Sequence, residues 1–131
     1  MITPWPHQIE IASMALPILR EHMLVYLAME ERTGKTVTSI LIAEACNVNK
    51  VLVITKKKAL DGWNKVLADF AHTKQYTVTN YHSVAKLKDS FDLIILDESH
   101  SNVSGYPKTS ALWKAVKNIC LRKPIIYLSD K

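Results

Sequence analysis

The 131-residue sequence predicts an α/β fold, a doubly wound and mostly parallel sheet flanked by helices in three α/β/α layers. Three observations predict it. Val51 to Ile54 and Leu93 to Leu96 are apolar at every position, and an unbroken apolar run implies burial on both faces, as in a parallel strand covered by helices. Between such runs the apolar residues recur every three or four positions instead of every two. Finally, Thr-Gly-Lys-Thr, residues 33–36, stands where a strand-like run gives way to a helical one.

Taken in order, the N-terminal stretch "PHQIEIASMALPILREHM" reads as helix, with a kink or a second helix start expected at Pro17. Strands are predicted at 23–29, 50–55, 75–80, 91–98 and 124–129, all rich in Val, Ile, Leu and Tyr. The helix after Gly34 places Val37, Ile40, Leu41 and Ala45 on one face, and Asn47 suits a left-handed cap at its end. Leu60, Trp63, Leu67 and Phe70 mark the next helix. Pro107 can open a last one, whose Leu112, Val116 and Ile119 would face inward. Residues 81–90 are too short and polar to assign. With no linker and no repeat, residues 1–131 read as a single domain.

Composition narrows the function classes. Hydrophobic residues make up 48% and charged residues 22%, which suits a packed globular chain and not a disordered one. A formal charge of +5 favours an anionic partner such as nucleic acid, although a mildly basic surface also serves solubility alone. Cys46 and Cys120 lie far apart and the five histidines are scattered, so neither a disulfide framework nor a zinc site is indicated; both cysteines are expected to be buried thiols. The N-terminus lacks a signal-peptide pattern, and no apolar run approaches the ~20 residues of a membrane span. A cytoplasmic protein with no membrane partner is the resulting expectation.

Two sites carry chemistry. Holding a phosphate takes converging backbone N–H groups, a helix N-terminus and a cation on a flexible stem. Thr33, Gly34, Lys35 and Thr36 meet that need: Gly34 for close backbone approach, Lys35 for the β and γ phosphates, and the Thr36 hydroxyl for Mg²⁺. Met29 stands where the first glycine of the full G-x-x-x-x-G-K-[ST] pattern belongs, so an ordinary helix start with a lysine is the competing reading. The second site is "LIILDESH". Its Asp97 and Glu98 sit at the carboxyl end of a buried strand, the edge where open α/β sheets bind ligands. There Asp97 would hold Mg²⁺ through water and Glu98 would orient or deprotonate the attacking water; a solvated strand end is the alternative.

In this order, these residues resemble the first RecA-like lobe of superfamily II helicases and translocases, and the resemblance spans essentially the whole chain. Gln8 in "WPHQ" looks like the Q-type motif, "ERTGKT" like motif I, and "DESH" like a variant of the Asp-Glu-Ala-His form of motif II. "VLVITKKKALDGWNKVLADF" is similar to motif Ia of the Swi/Snf branch through Leu60, Trp63 and Phe70, "TVTNYHSV" resembles motif Ib, and "IIYLS" resembles the strand leading into motif III. The compact spacing also resembles small bacteriophage helicases.

The resemblance implies ATP and Mg²⁺ as cofactors, Gln8 on the base, and Lys35, Thr36, Asp97 and Glu98 at phosphate, metal and water. It also implies that Thr55, Lys56, Thr79 and Asn80 touch the backbone of one nucleic-acid strand, DNA ahead of RNA, with affinity that falls as salt rises. A solvated loop is the rival reading of "TKKK". Trp63, by its spacing with Leu60, Leu67 and Phe70, is expected to pack in the core and not to stack on bases. A hydrogen bond between His100 and Ser129 would couple nucleotide to nucleic acid in this scheme, while a surface His100 would not.

Three departures qualify the expectation. Arg32 stands where relatives carry a glycine, which alters the loop but adds positive charge for phosphate. The motif III region runs Ser129, Asp130, Lys131. A second lobe, which in the family supplies an arginine worth ~10³–10⁵ in rate, has no counterpart in these residues, so the chain is expected to be a weak or inactive ATPase unless another lobe or partner protein completes it. The alternative is a non-catalytic nucleic-acid- or protein-binding module that keeps the fold. A small P-loop kinase fits less well, because no lid or acceptor-substrate site is evident.

Overall fold

The structure, a computed structural model, describes residues 3–29, 34–81, 83–87, 90–98 and 122–130. All five apolar runs are strands: β1 (Leu24–Met29), β2 (Lys50–Thr55), β3 (Gln75–Asn80), β4 (Leu93–Glu98) and β5 (Ile125–Asp130). They form one sheet in the order β1-β5-β4-β2-β3, and every neighbouring pair is parallel. The predicted doubly wound α/β architecture is therefore the observed one. β5 lies between β1, which leads to Gly-Lys-Thr, and β4, which ends in Asp97 and Glu98.

Strand alternation divides the interior in two. Val51 and Val53 of β2, Leu93 and Ile95 of β4, and Ile126 and Leu128 of β5 face the helices α1 (Pro6–His22), α2 (Lys35–Ala45) and α3 (Leu60–Asp69) in one cluster. Leu52, Ile54, Ile94 and Leu96 face the opposite way, where Tyr81, Val84 and Phe91 join them. The central strand residues 51–54 and 93–95 are fully enclosed. At roughly 1.5–3 kcal/mol for each large apolar side chain buried, these strands are where the fold is anchored. The unassigned stretch after β3 contributes a short 3₁₀ turn, Val84–Lys86. The helix expected after Pro107 lies outside the described residues.

Of the two outcomes expected at Pro17, the second helix start does not occur: α1 continues through it. Pro17 and Ser13 are both exposed, so the carbonyl that loses its helical N–H partner at Ser13 faces water, and the break is tolerated there. The helix after Gly34 ends at Ala45 with Cys46 extended (φ −84°, ψ 153°), and Asn47 takes no left-handed cap. The buried set of α2 also differs: Ala45 is exposed, while Thr38 and Ser39 are enclosed between α1 and the sheet. Their hydroxyls donate to the Gly34 and Thr36 carbonyls at 3.1 and 2.7 Å, which removes the penalty of burying them. Cys46 is a half-buried free thiol, its pKa pushed up by burial, and Cys120 lies outside the described residues.

The amino end of the sheet is tied by two carboxylates. Asp92 accepts the Asn49 and Lys50 N–H groups at 3.0 Å each, locking β4 to β2. Glu44, in the last turn of α2, accepts from the Thr73 N–H and hydroxyl, the Lys74 N–H and the Tyr76 hydroxyl at 2.7–3.2 Å. Among the described residues no helix is long and apolar enough to cross a membrane.

Candidate functional site

Because every strand is parallel, the carboxyl ends of β1 to β5 gather on one rim, and the N-terminus of α2 opens there too. A cavity of about 300 Å³ lies at this rim, lined by Lys35 and Thr36 of α2, Thr55 at the end of β2 and Lys56 after it, Trp63 of α3, and Asp97 of β4. Lysine and aspartate, 62 positions apart in sequence, meet directly: Lys35 Nζ is 3.3 Å from Asp97 Oδ1, and both side chains are largely enclosed. The other carboxylate oxygen, Oδ2, accepts two hydrogen bonds, from Trp63 Nε1 at 2.8 Å and from Thr55 Oγ1 at 3.0 Å. The Tyr81 hydroxyl donates to the Asp97 carbonyl at 3.4 Å.

The entry to α2 is built to a fixed shape. Gly34 caps the helix in the left-handed region (φ 77°, ψ 41°), where a side chain is strained. Its carbonyl accepts from the Thr38 N–H, the Thr38 hydroxyl and Gln8 Nε2, each at 3.1 Å. Gln8 is buried, and its Oε1 reaches back to the Trp5 N–H at 2.7 Å, closing the first turn of α1. A Cβ at Gly34 would collide with the Gln8 amide. The Gly34 carbonyl is thus held from behind, and the first turn of α2 lines the cavity; helix N-termini are places where backbone N–H groups bind anions.

The predicted residues do not all gather at the cavity. Lys35, Thr36 and Asp97 converge on the cavity, and Gly34 borders it. Glu98 ends β4 on the same rim, its backbone in register with Ser129 of β5. Arg32, Thr33 and His100 lie outside the described residues, as do the side chains of Glu98 and Ser129, so the expected His100–Ser129 bond does too.

Gln8 and Thr55 turn inward. Gln8, expected on a base, turns its amide inward onto Gly34 and Trp5. Thr55, expected on a nucleic-acid backbone, is fully enclosed with its hydroxyl on Asp97, because the last inward position of β2 faces α3 and not the outside. Lys56 is half-buried at the cavity wall and precedes the 3₁₀ turn Lys57–Ala59, whose two lysines are exposed. Thr79 and Asn80 end β3 half-buried, with Asn80 Oδ1 accepting the Ser83 N–H at 3.0 Å.

Sequence reasoning missed one functional feature. Trp63 is a core residue, 2% exposed, as its spacing predicts, but its indole N–H also restrains Asp97. A signal was available: a buried tryptophan needs an acceptor for its N–H.

The donor set suits a hard cation shared with phosphates. Asp97 brings a carboxylate to the cavity lining, and Thr36 and Thr55 bring hydroxyls, that of Thr55 being engaged by Asp97. Among the described residues no group of three or more His, Cys, Asp or Glu could hold a metal; Mg²⁺ is commonly held by one or two carboxylates together with water and substrate phosphates.

No protein-family model matches the chain, and no curated protein matches it. Solved structures do. The SWI2/SNF2 ATPase core of Sulfolobus solfataricus in complex with double-stranded DNA superposes with a TM-score of 0.78 at 19% identity, covering 98% of this chain and 32% of that one. The SWI2/SNF2 ATPase core domain of the same organism gives 0.76 at 17% identity, covering 99% and 31%. The chain therefore has the RecA-like α/β fold of those cores and spans about a third of their length. Neither structure comes from a bacteriophage, so that part of the resemblance rests on motif spacing alone.

Proposed function

We propose that this chain is an ATP-binding lobe of a superfamily II helicase- or translocase-like ATPase acting on nucleic acid. The observation that carries the reading is the meeting of Lys35 and Asp97 at 3.3 Å beside the open N-terminus of α2. A lysine and an acidic residue enclosed together at a helix start answer the two charges of a metal-bound triphosphate. In this reading Lys35 leaves Asp97 for the β and γ phosphates, the α2 amides take the remaining phosphate oxygens, and Thr36 and Asp97 hold Mg²⁺. A metal held there would supply positive charge against the phosphates. Glu98, at the same strand end, orients the attacking water. Gln8 acts on the nucleotide through Gly34, by fixing the loop.

Among the described residues, Arg20 donates to the Ala45 carbonyl at the far end of α2, and Arg122 precedes β5, so neither stands at this rim. Lys35 and Lys56 are the described cations that line the cavity, and without an arginine from another lobe turnover by this chain is expected to stay near background. The exposed Lys57 and Lys58, with Lys56, form a basic turn on the same rim as the cavity, suited to a phosphate backbone. The double-stranded DNA of the first structural neighbour makes DNA the preferred partner.

A second reading, a non-catalytic binding module retaining the fold, is favoured by one observation: the Gln8 amide is engaged within the protein. Titration of the chain with Mg²⁺ and ATP or a non-hydrolysable analogue, with and without single-stranded DNA, separates the two. The first reading expects weak nucleotide binding that disappears in Lys35→Ala. Equal binding by wild type and Lys35→Ala, or a DNA or protein partner bound with no nucleotide affinity at all, supports the second.

A further inference from the structure

We infer that Asp97 is a specificity residue that shuts the cavity to metal-free nucleotide, because the lysine needed by the phosphates is already committed to a carboxylate that cannot leave with it. The inference rests on the reading of the cavity as a magnesium–triphosphate site.

Lys35 Nζ lies 3.3 Å from Asp97 Oδ1, and only 12% and 9% of the two side chains are exposed, so the pair is mostly withdrawn from water. The carboxylate is fixed in place. Its Oδ2 accepts Trp63 Nε1 at 2.8 Å and Thr55 Oγ1 at 3.0 Å, and both donors are themselves enclosed, Trp63 in α3 and Thr55 at the end of β2. Lys35 carries its charge on a flexible stem in the first turn of α2, so it is the partner that moves. When its ammonium turns to a phosphate, Asp97 stays behind. Thr55 and Trp63 are neutral donors and bring it no positive charge, and separating an enclosed pair leaves a charge uncompensated, which costs more than the intact pair contributes.

A metal-free triphosphate adds to that cost, since it sets its own negative charges beside the abandoned carboxylate. Lys56 lines the cavity for either form of the nucleotide and does not tell them apart. A triphosphate that arrives with Mg²⁺ brings a cation to replace the charge of the lysine near Asp97. The replacement needs no direct bond, because Coulomb attraction falls only as the inverse of distance and acts across an intervening water. A lysine and a helix start without the aspartate would behave in the opposite way, favouring the more anionic, metal-free form.

The test is calorimetric titration of the full chain with a non-hydrolysable ATP analogue in excess Mg²⁺ and, separately, in EDTA. Asp97→Asn keeps a carbonyl oxygen for Trp63 and Thr55 and removes the charge. Wild type is expected to bind the Mg²⁺ form more tightly than the metal-free form, and Asp97→Asn to bind the metal-free analogue about tenfold more tightly than wild type does. Loss of a metal ligand alone cannot produce that gain. Equal metal-free Kd values in wild type and Asp97→Asn overturn the inference, leaving Asp97 with a role toward the metal only, and so does equal binding of both forms by wild type. Should Asp97→Asn fail to fold by circular dichroism, Asp97→Ala carries the same comparison. Absence of analogue binding by wild type in Mg²⁺, or binding there that survives Lys35→Ala, instead removes the underlying nucleotide reading.

Discussion

The two rims of the sheet both rely on buried or bridged carboxylates, yet they use them in opposite ways. At the amino rim, Asp92 and Glu44 are satisfied mostly by backbone N–H groups of the segments that start β2 and β3, partners with no other position to take. At the carboxyl rim, Asp97 is satisfied wholly by side chains, and one of them is a lysine that can leave. The first arrangement ties segments together. The second holds a charge in readiness beside a cavity, and that is the physical difference between a staple and a binding group.

The comparison breaks most visibly at Trp63, which serves both core and site. Trp63→Ala removes a fully packed indole and is expected to cost about 3–5 kcal/mol in urea unfolding. A smaller loss would show that α3 packs less tightly on the rim than its burial indicates. Gly34→Ala ranks next. The left-handed conformation alone costs about 1–2 kcal/mol with a Cβ, and the collision with Gln8 adds displacement of the α2 entry, so nucleotide affinity should fall by more than the stability does. Equal losses in both would mean that the loop shape matters to folding and not to binding.

The smallest effect sharpens the amino rim. Burial raises the Glu44 pKa, but the hydrogen bonds from Thr73, Tyr76 and Lys74 outweigh it and hold the group below its ordinary 4.5. Asp92 lies below its ordinary 3.8, chiefly through the Lys50 and Asn49 N–H groups. With folded-state values depressed, their stabilisation is present above the ordinary values and is lost as pH falls through the lowered ones. The urea midpoint should therefore drop as pH falls below about 4.5, and the drop should be shallower in Glu44→Gln, measured from pH 7 to pH 2. An identical slope in the variant would remove Glu44 as a staple.

Much of this architecture was legible in the residues. The unbroken runs at Val51–Ile54 and Leu93–Leu96 mark parallel, doubly covered strands because no other setting hides both faces. Lys35 and Asp97 were also legible, since a lysine at a helix start and an acid at a strand end share a rim whenever the sheet is parallel. What escaped were matters of direction. Thr55 ends a strand like a surface residue, and only the register of β2 against β4 shows that its hydroxyl faces Asp97. Gln8 reads equally as a base contact or a helix-closing amide until Gly34 is seen 3.1 Å away. Asn47 misled because local preference yields to context: the chain extends at Cys46, at once after α2, toward β2.

α2 is gripped at both ends, by Gln8 through Gly34 where it begins and by the Glu44 knot where it finishes. Its 11 residues span roughly 16 Å at 1.5 Å each. With both ends held, α2 runs as one continuous strut from the lysine at the carboxyl rim to the Thr73–Lys74 segment at the amino rim.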